Sequence, residues 1–130
     1  MRAFLLDTHA YVWAVSEPNK LSQPAREAVA DRSNRVFVSA ATVWEMAIKH
    51  HAGRWPEAEP LLSGHWEIVD RLGAKHMDIS WAHARRAGGL KWHHADPFDR
   101  MLAAQAMTDG ATFVTRDGAF DALAGLDLLW

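Results

Sequence analysis

The chain contains no cysteine, which excludes disulfides, thiolate nucleophiles and cysteine-based zinc sites and fits a reducing cytoplasm. Long apolar runs are missing too. The run Ala3-Phe4-Leu5-Leu6 meets Asp7 after four residues, too short for the apolar core of a signal peptide, and no other run approaches a membrane span. A cytoplasmic location without membrane contact is therefore expected. Positive charge is not in excess: 14 Lys and Arg stand against 16 Asp and Glu, for a net charge of -2. That balance argues against gripping nucleic acid through bulk charge, although it permits a local basic rim, and a polyanionic substrate would need help such as bound metal. There is no Gly-x-Gly-x-x-Gly and no Gly-Lys-Ser/Thr, so a glycine-rich nucleotide cradle has no support. Asp7-Thr8-His9 also lacks the Asp-x-Asp pair of an aspartyl-phosphate phosphatase.

With 130 residues and 49% apolar content, residues 1–130 are expected to form one domain with its own core. Residues 3–6 read as a strand buried on both faces, followed by a helical stretch from His9 to Val15. Ser22 caps a second helix, Pro24 to about Asp31, with Leu21 placed as a staple before it. Arg35 to Ser39 is a β-branched and aromatic strand, and Ser39 or Thr42 can cap the helix through Val43 to His50. The middle is the least informative stretch. Leu61 to Leu72 reads as one weak helix stopped by Gly73, His76 to Ile79 as a short strand, and Trp81 to Ala87 as a helix capped by Ser80. A helix opened by Asp96-Pro97 closes near Gly110, Ala111 to Thr115 is another strand, and Leu126 to Trp130 an edge strand. Strands alternating with helices predict an α/β fold built of βαβ units, its parallel sheet covered on both sides.

In such sheets ligands bind beyond the carboxyl ends of the strands. Asp7 and Asp117 follow two of the strands, Asp99 lies in the first turn of a helix, and Glu45 lies early in the helix after the second strand. Each has an ordinary explanation. Asp96 before Pro97 is a normal helix start, first-turn acids are favoured by the helix dipole, and Glu45 with Lys49 has the spacing of a helix-surface ion pair. Carboxylates that converge raise each other's pKa unless a cation neutralises them. A hard divalent ion, Mg²⁺ or Mn²⁺, is the natural partner, and such a site activates water for in-line attack on a phosphodiester. The eight histidines invite zinc, but His50-His51 and His93-His94 are adjacent pairs without helical zinc spacing. His93 and His94 read as loop residues near the site. The seven tryptophans are first of all packing residues, with base stacking the lesser alternative.

The segments Leu5-Leu6-Asp7-Thr8-His9, Ser39 to Lys49, His94-Ala95-Asp96-Pro97-Phe98-Asp99-Arg100 through Ala106, and Val114-Thr115-Arg116-Asp117 occur in an order that resembles PIN-domain proteins of the VapC-like toxin group. The resemblance spans nearly the whole chain, with Pro56 to Leu90 matching only in outline. It implies a PIN-like fold, with a central, mostly parallel sheet of four to five strands and helices on both faces. It also implies a metal-dependent endoribonuclease, the toxin of a type II toxin–antitoxin pair, silenced by a cognate antitoxin whose tail covers the acidic cleft. The family's acidic quartet falls on Asp7, Glu45, Asp99 and Asp117, with Asp96 placed to cap or to reach the metal through water. Thr8, Lys49, Arg100, Thr115 and Arg116 flank these acids and are candidates for contact with the RNA substrate. A homodimer is expected. The alternative is a non-catalytic PIN-like module whose acidic pocket accepts an arginine from a partner chain.

Overall fold

The computed structural model describes residues 2–130. Five strands, β1 (Ala3–Leu6), β2 (Arg35–Ser39), β3 (Lys75–Met77), β4 (Thr112–Val114) and β5 (Leu128–Leu129), form one sheet in the order β3-β2-β1-β4-β5. Every pairing is parallel, so the sheet is parallel throughout. The crossovers are α1 (Thr8–Ser16) with α2 (Gln23–Ala30), then α3 (Ala40–His51) with α4 (Glu59–Ser63) and α5 (His65–Leu72), then α6 (Trp81–Gly89) with α7 (Pro97–Asp109).

Alternation along the strands sorts the core into two layers. Phe4 and Leu6 of β1, with Val36 and Val38 of β2, pack toward Tyr11, Ala25, Met46, Leu61 and Val69. Leu5 points the other way, to Leu102, Ala103 and Ala106 of α7 and to Phe113 and Phe120. Phe4, Leu5 and Leu6 are all 0% exposed, and burial of such a side chain contributes about 1.5–3 kcal/mol. That burial on both faces is why β1 reads as a continuous apolar run.

The helix boundaries follow their caps. Ser22 Oγ accepts from Ala25 N, Ser39 Oγ accepts from Ala41 N, and Ser80 with His83 forms a reciprocal capping box. Gly73 and Gly110 close α5 and α7 with φ of 76° and 67°, a conformation that costs an L-residue strain. Ser39 also donates to buried Gln105 Oε1 at 2.5 Å, and Gln105 Nε2 donates to the Asp78 carbonyl, tying α7 to the ends of β2 and β3.

Two expectations for the middle of the chain are corrected. Leu61 to Leu72 is not one helix: α4 ends at Ser63, and α5 starts after Gly64, where the backbone (φ -97°, ψ 15°) leaves the helical region. The third strand runs from Lys75 to Met77 rather than from His76 to Ile79, because the Asp78 carbonyl bonds Gln105 instead of continuing the ladder. Among the described residues no helix is long and apolar enough to cross a membrane.

Candidate active site

The strand order reverses between β1 and β4: the chain winds outward from β1 through β2 to β3, then crosses back to lay β4 on the other side of β1. A crevice opens beyond the carboxyl ends of strands at such a switch point. Here it is a cleft of about 540 Å³, and Asp7, Glu45, Asp96, Asp99 and Asp117 all line it. Carboxylates far apart in sequence are thus brought together by topology.

Asp7 follows β1 and caps α1. One carboxylate oxygen accepts from Thr8 N at 2.7 Å and the other from Thr115 Oγ1 at 2.7 Å. Thr8 Oγ1 in turn donates to Glu45 Oε1 at 2.8 Å, while Lys49 Nζ donates to Glu45 Oε2 at 2.6 Å. Glu45 is 6% exposed, so its pair with Lys49 is held at the cleft wall and is no solvated surface bridge. Asp117 N donates to Thr115 Oγ1, and Asp117 Oδ1 accepts from Ala119 N at 2.9 Å, starting the helical turn Gly118–Ala122. Asp96 Oδ1 accepts from Phe98 N and Asp99 N, so it is the cap of α7.

Asp99 has a different partner. Its Oδ2 lies 2.6 Å from His94 Nε2, which must donate when the carboxyl is ionised. Burial, offset only in part by that bond and reinforced by the nearby Asp96 and Asp7 charges, pushes its pKa up to about 6. Burial also raises the Asp7 carboxyl above the usual carboxylate range, against the opposing hydrogen bonds from Thr115 and Thr8. Both acids therefore carry a desolvation cost that a cation in the cleft relieves.

The structure separates the five residues expected to touch substrate. Lys49 and Arg116 line the cleft, the Arg116 guanidinium lying 5.8 Å from the Trp13 ring centre. Thr8 and Thr115 are buried, and their hydroxyls orient Glu45 and Asp7. Arg100 is placed elsewhere: its guanidinium donates to the carbonyls of Ala87, Leu90, Trp92 and His94, which commits it to holding the loop that carries His94. That removes it from the cleft. His9 and Trp13, which the sequence does not single out for the site, line the cleft, and His94, expected near the site as a loop residue that touches phosphate, bonds Asp99. Only the nearness of Thr8-His9 to Asp7 and of His94 to Asp99 could have signalled them.

The donor set suits a hard cation: the acidic groups lining the cleft are carboxylates, the chain has no cysteine and no methionine lines the cleft among the described residues, and Asp7 and Asp99 are raised acids facing one space. Among the described residues no three acids or histidines stand close enough to form a finished cage. Mg²⁺ does not require one, since it keeps several waters and takes one or two protein carboxylates.

The PIN domain family model matches residues 4–126. The chain belongs to the PIN-domain family. It is 30% identical over 118 residues to Ribonuclease VapC22 of Mycobacterium tuberculosis, covering 90% of this chain and 88% of that one. Among solved structures it resembles a chain of VapBC2 from Rickettsia felis bound to a promoter DNA fragment, with a TM-score of 0.70, 16% identity and coverage of 98% and 97% of the two chains. A chain of VapBC-5 from Mycobacterium tuberculosis, a member of the VapBC family of toxin-antitoxin systems, matches with a TM-score of 0.62, 18% identity and coverage of 99% and 98%. At these identities the solved structures establish the shared fold.

Proposed function

We propose that the chain is a metal-dependent endoribonuclease and the toxin of a type II toxin–antitoxin pair. The observation that carries this reading is the gathering of Asp7, Glu45, Asp99 and Asp117, from four separate segments, around one cleft at the sheet's switch point. The name of the relative Ribonuclease VapC22 and the toxin-antitoxin assembly of VapBC-5 support it.

Asp7, Glu45, Asp99 and Asp117 are the metal-holding and catalytic acids in this reading, for Mg²⁺ or Mn²⁺. A bound divalent ion supplies charge neutralisation, activation of water and stabilisation of the phosphodiester under attack. The protein's own work is orientation. Thr115 and Thr8 N–H fix the two oxygens of Asp7, Thr8 and Lys49 fix those of Glu45, and His94 turns Asp99 into the cleft. Asp96 starts α7 so that Asp99 faces inward. Lys49 and Arg116 at the wall are placed to meet RNA phosphates.

A basic tail of a cognate antitoxin would fill the same acidic cleft. The exposed Trp44 and Trp66 give a protein partner or a second copy of the chain apolar surface to cover. A second reading, a non-catalytic module that accepts a partner's arginine, draws on the fact that the cleft already gathers Lys49 and Arg116 from its own chain. The test is cleavage of a mixed RNA pool by the purified chain with Mg²⁺ and with chelator. Cleavage that chelator stops and added Mg²⁺ restores supports the nuclease, whereas equal cleavage in both, or full activity in Asp7→Asn, overturns it.

A further inference from the structure

A second groove, of about 680 Å³, lies between α6 and α7, lined by Trp81, Arg85, Arg86, Lys91, Leu90 and Met107 among others. Its charge departs from the rest of the molecule. The chain as a whole is slightly acidic, with a net charge of -2, yet among the described residues this groove presents three cationic side chains and no carboxylate. Helix α6, Trp81-Ala82-His83-Ala84-Arg85-Arg86-Ala87-Gly88-Gly89, holds no acid at all. Among the described residues neither arginine nor Lys91 forms an ion pair; Arg86 makes one long bond, 3.4 Å, to Thr108 Oγ1.

At the groove edge the Trp81 indole is 77% exposed, and the Arg85 guanidinium carbon lies 5.6 Å from its ring centre. A flat, solvated indole beside unpaired cations is the pairing that single-stranded nucleic acid requires: a face for a base, and charge for the neighbouring phosphates. An acidic peptide would meet the charges but leave the indole without a stacking partner.

The groove and the acidic cleft are both lined from helix α7. Met107 in the groove and Asp99 in the cleft are eight residues apart on α7, about 12 Å along the axis. Lys91 lies on the loop whose carbonyls Arg100 holds and which presents His94 to Asp99. A stacked strand at about 3.4 Å per nucleotide crosses that distance in about four nucleotides.

We propose that the α6–α7 groove is a second binding site for single-stranded RNA, engaging the substrate a few nucleotides from the cut by stacking a base on Trp81 and pairing phosphates with Arg85, Arg86 and Lys91. The proposal rests on the reading that RNA is cut in the acidic cleft. Its test uses the full chain carrying Asp99→Asn, so that RNA stays intact, and fluorescence anisotropy with two labelled single-stranded RNAs. One is about two nucleotides long and too short to leave the cleft; the other is about twelve and reaches the groove. Trp81→Ala weakens binding of the long RNA roughly 5- to 160-fold, the range of one lost base stack. Arg85→Ala with Lys91→Ala lowers the slope of log affinity against log salt by about 1.4, at about 0.7 per phosphate. Binding of the short RNA stays at the parent level in both.

Parent-level binding of the long RNA by these variants overturns the proposal. So does displacement of the long RNA from the parent by a poly-glutamate peptide whose own affinity depends on Trp81, or a groove variant that changes oligomeric mass in light scattering while binding RNA normally. RNA cleavage by the unsubstituted chain is scored separately. Groove-dependent binding without cleavage refutes the nuclease reading and keeps the groove; cleavage without groove dependence does the reverse.

Discussion

Asp99→Asn is expected to stabilise the metal-free chain above pH 6 while removing its activity. The Asp99 carboxyl is pushed from the usual 3.8 to about 6, with burial as the first cause. The folded chain therefore keeps this proton to higher pH than the unfolded chain does. Stability contributed by the protonated acid is present at low pH and is lost as pH rises from about 4 to about 6. Above that range the ionised carboxylate costs the fold on the order of 1–2 kcal/mol, less than the full shift would give at about 1.4 kcal/mol per tenfold change in proton affinity, because solvent at the open cleft screens the charge. Asparagine retains the shape and can still bond His94, but carries no charge to desolvate. In thermal melts with chelator at pH 8 the variant should melt several degrees above the parent, since 1 kcal/mol shifts a domain of this size by about 3–6 °C. At pH 4 the two should nearly coincide. A variant no more stable than the parent at pH 8, or one equally stabilised at both pH values, would show that the ionised Asp99 carboxylate does not burden the fold.

Other parts of the structure give equally direct expectations. Arg100→Ala leaves four carbonyl acceptors without their shared donor and should cost about 2–4 kcal/mol in urea unfolding; a loss below about 0.5 kcal/mol contradicts the clamp. Asp96→Ala removes the cap of α7 and should cost about 1 kcal/mol, while Asp96→Asn retains both stability and cleavage; loss of cleavage in Asp96→Asn with stability intact would make Asp96 part of the chemistry. The Tyr11 hydroxyl is buried without a hydrogen-bond partner among the described residues, and burial drives its pKa up to about 12. Tyr11→Phe should therefore raise stability by about 1 kcal/mol, measured by urea unfolding, and a decrease would reveal a partner for the hydroxyl.

Local chemistry made much of this fold legible. The run Phe4-Leu5-Leu6 announced a doubly buried strand, and Ser22, Ser39, Ser80 and Asp96 marked helix starts where each now accepts a backbone N–H. Asp7, Asp99 and Asp117 were legible because each stands beside a strand end or a helix start that topology carries to one edge, whereas Glu45 lies inside α3, where its spacing to Lys49 suggested only an ion pair. What lay hidden depends on backbone or on tertiary context. Arg100 satisfies carbonyls, which every residue has, so nothing in its neighbours distinguishes a loop clamp from a substrate contact. His94 reaches Asp99 across a turn whose path the sequence does not state. The break between α4 and α5 falls at Gly64, where a Cβ would stand 3.0 Å from the Pro60 carbonyl oxygen and 3.3 Å from Ile68 Cδ1. A glycine inside a weakly periodic stretch did not by itself mark that bend.

In the proposed function the cleft of Asp7, Glu45, Asp99 and Asp117 is a cradle for a divalent cation. Calorimetric titration of the chelator-treated chain with Mn²⁺ at pH 8 tests it most directly. Saturable binding by the unsubstituted chain is expected, sharply weakened in Asp7→Asn and Asp99→Asn. No binding, or the same affinity in all three proteins, would contradict it and leave the cleft as a pocket for a partner's arginine.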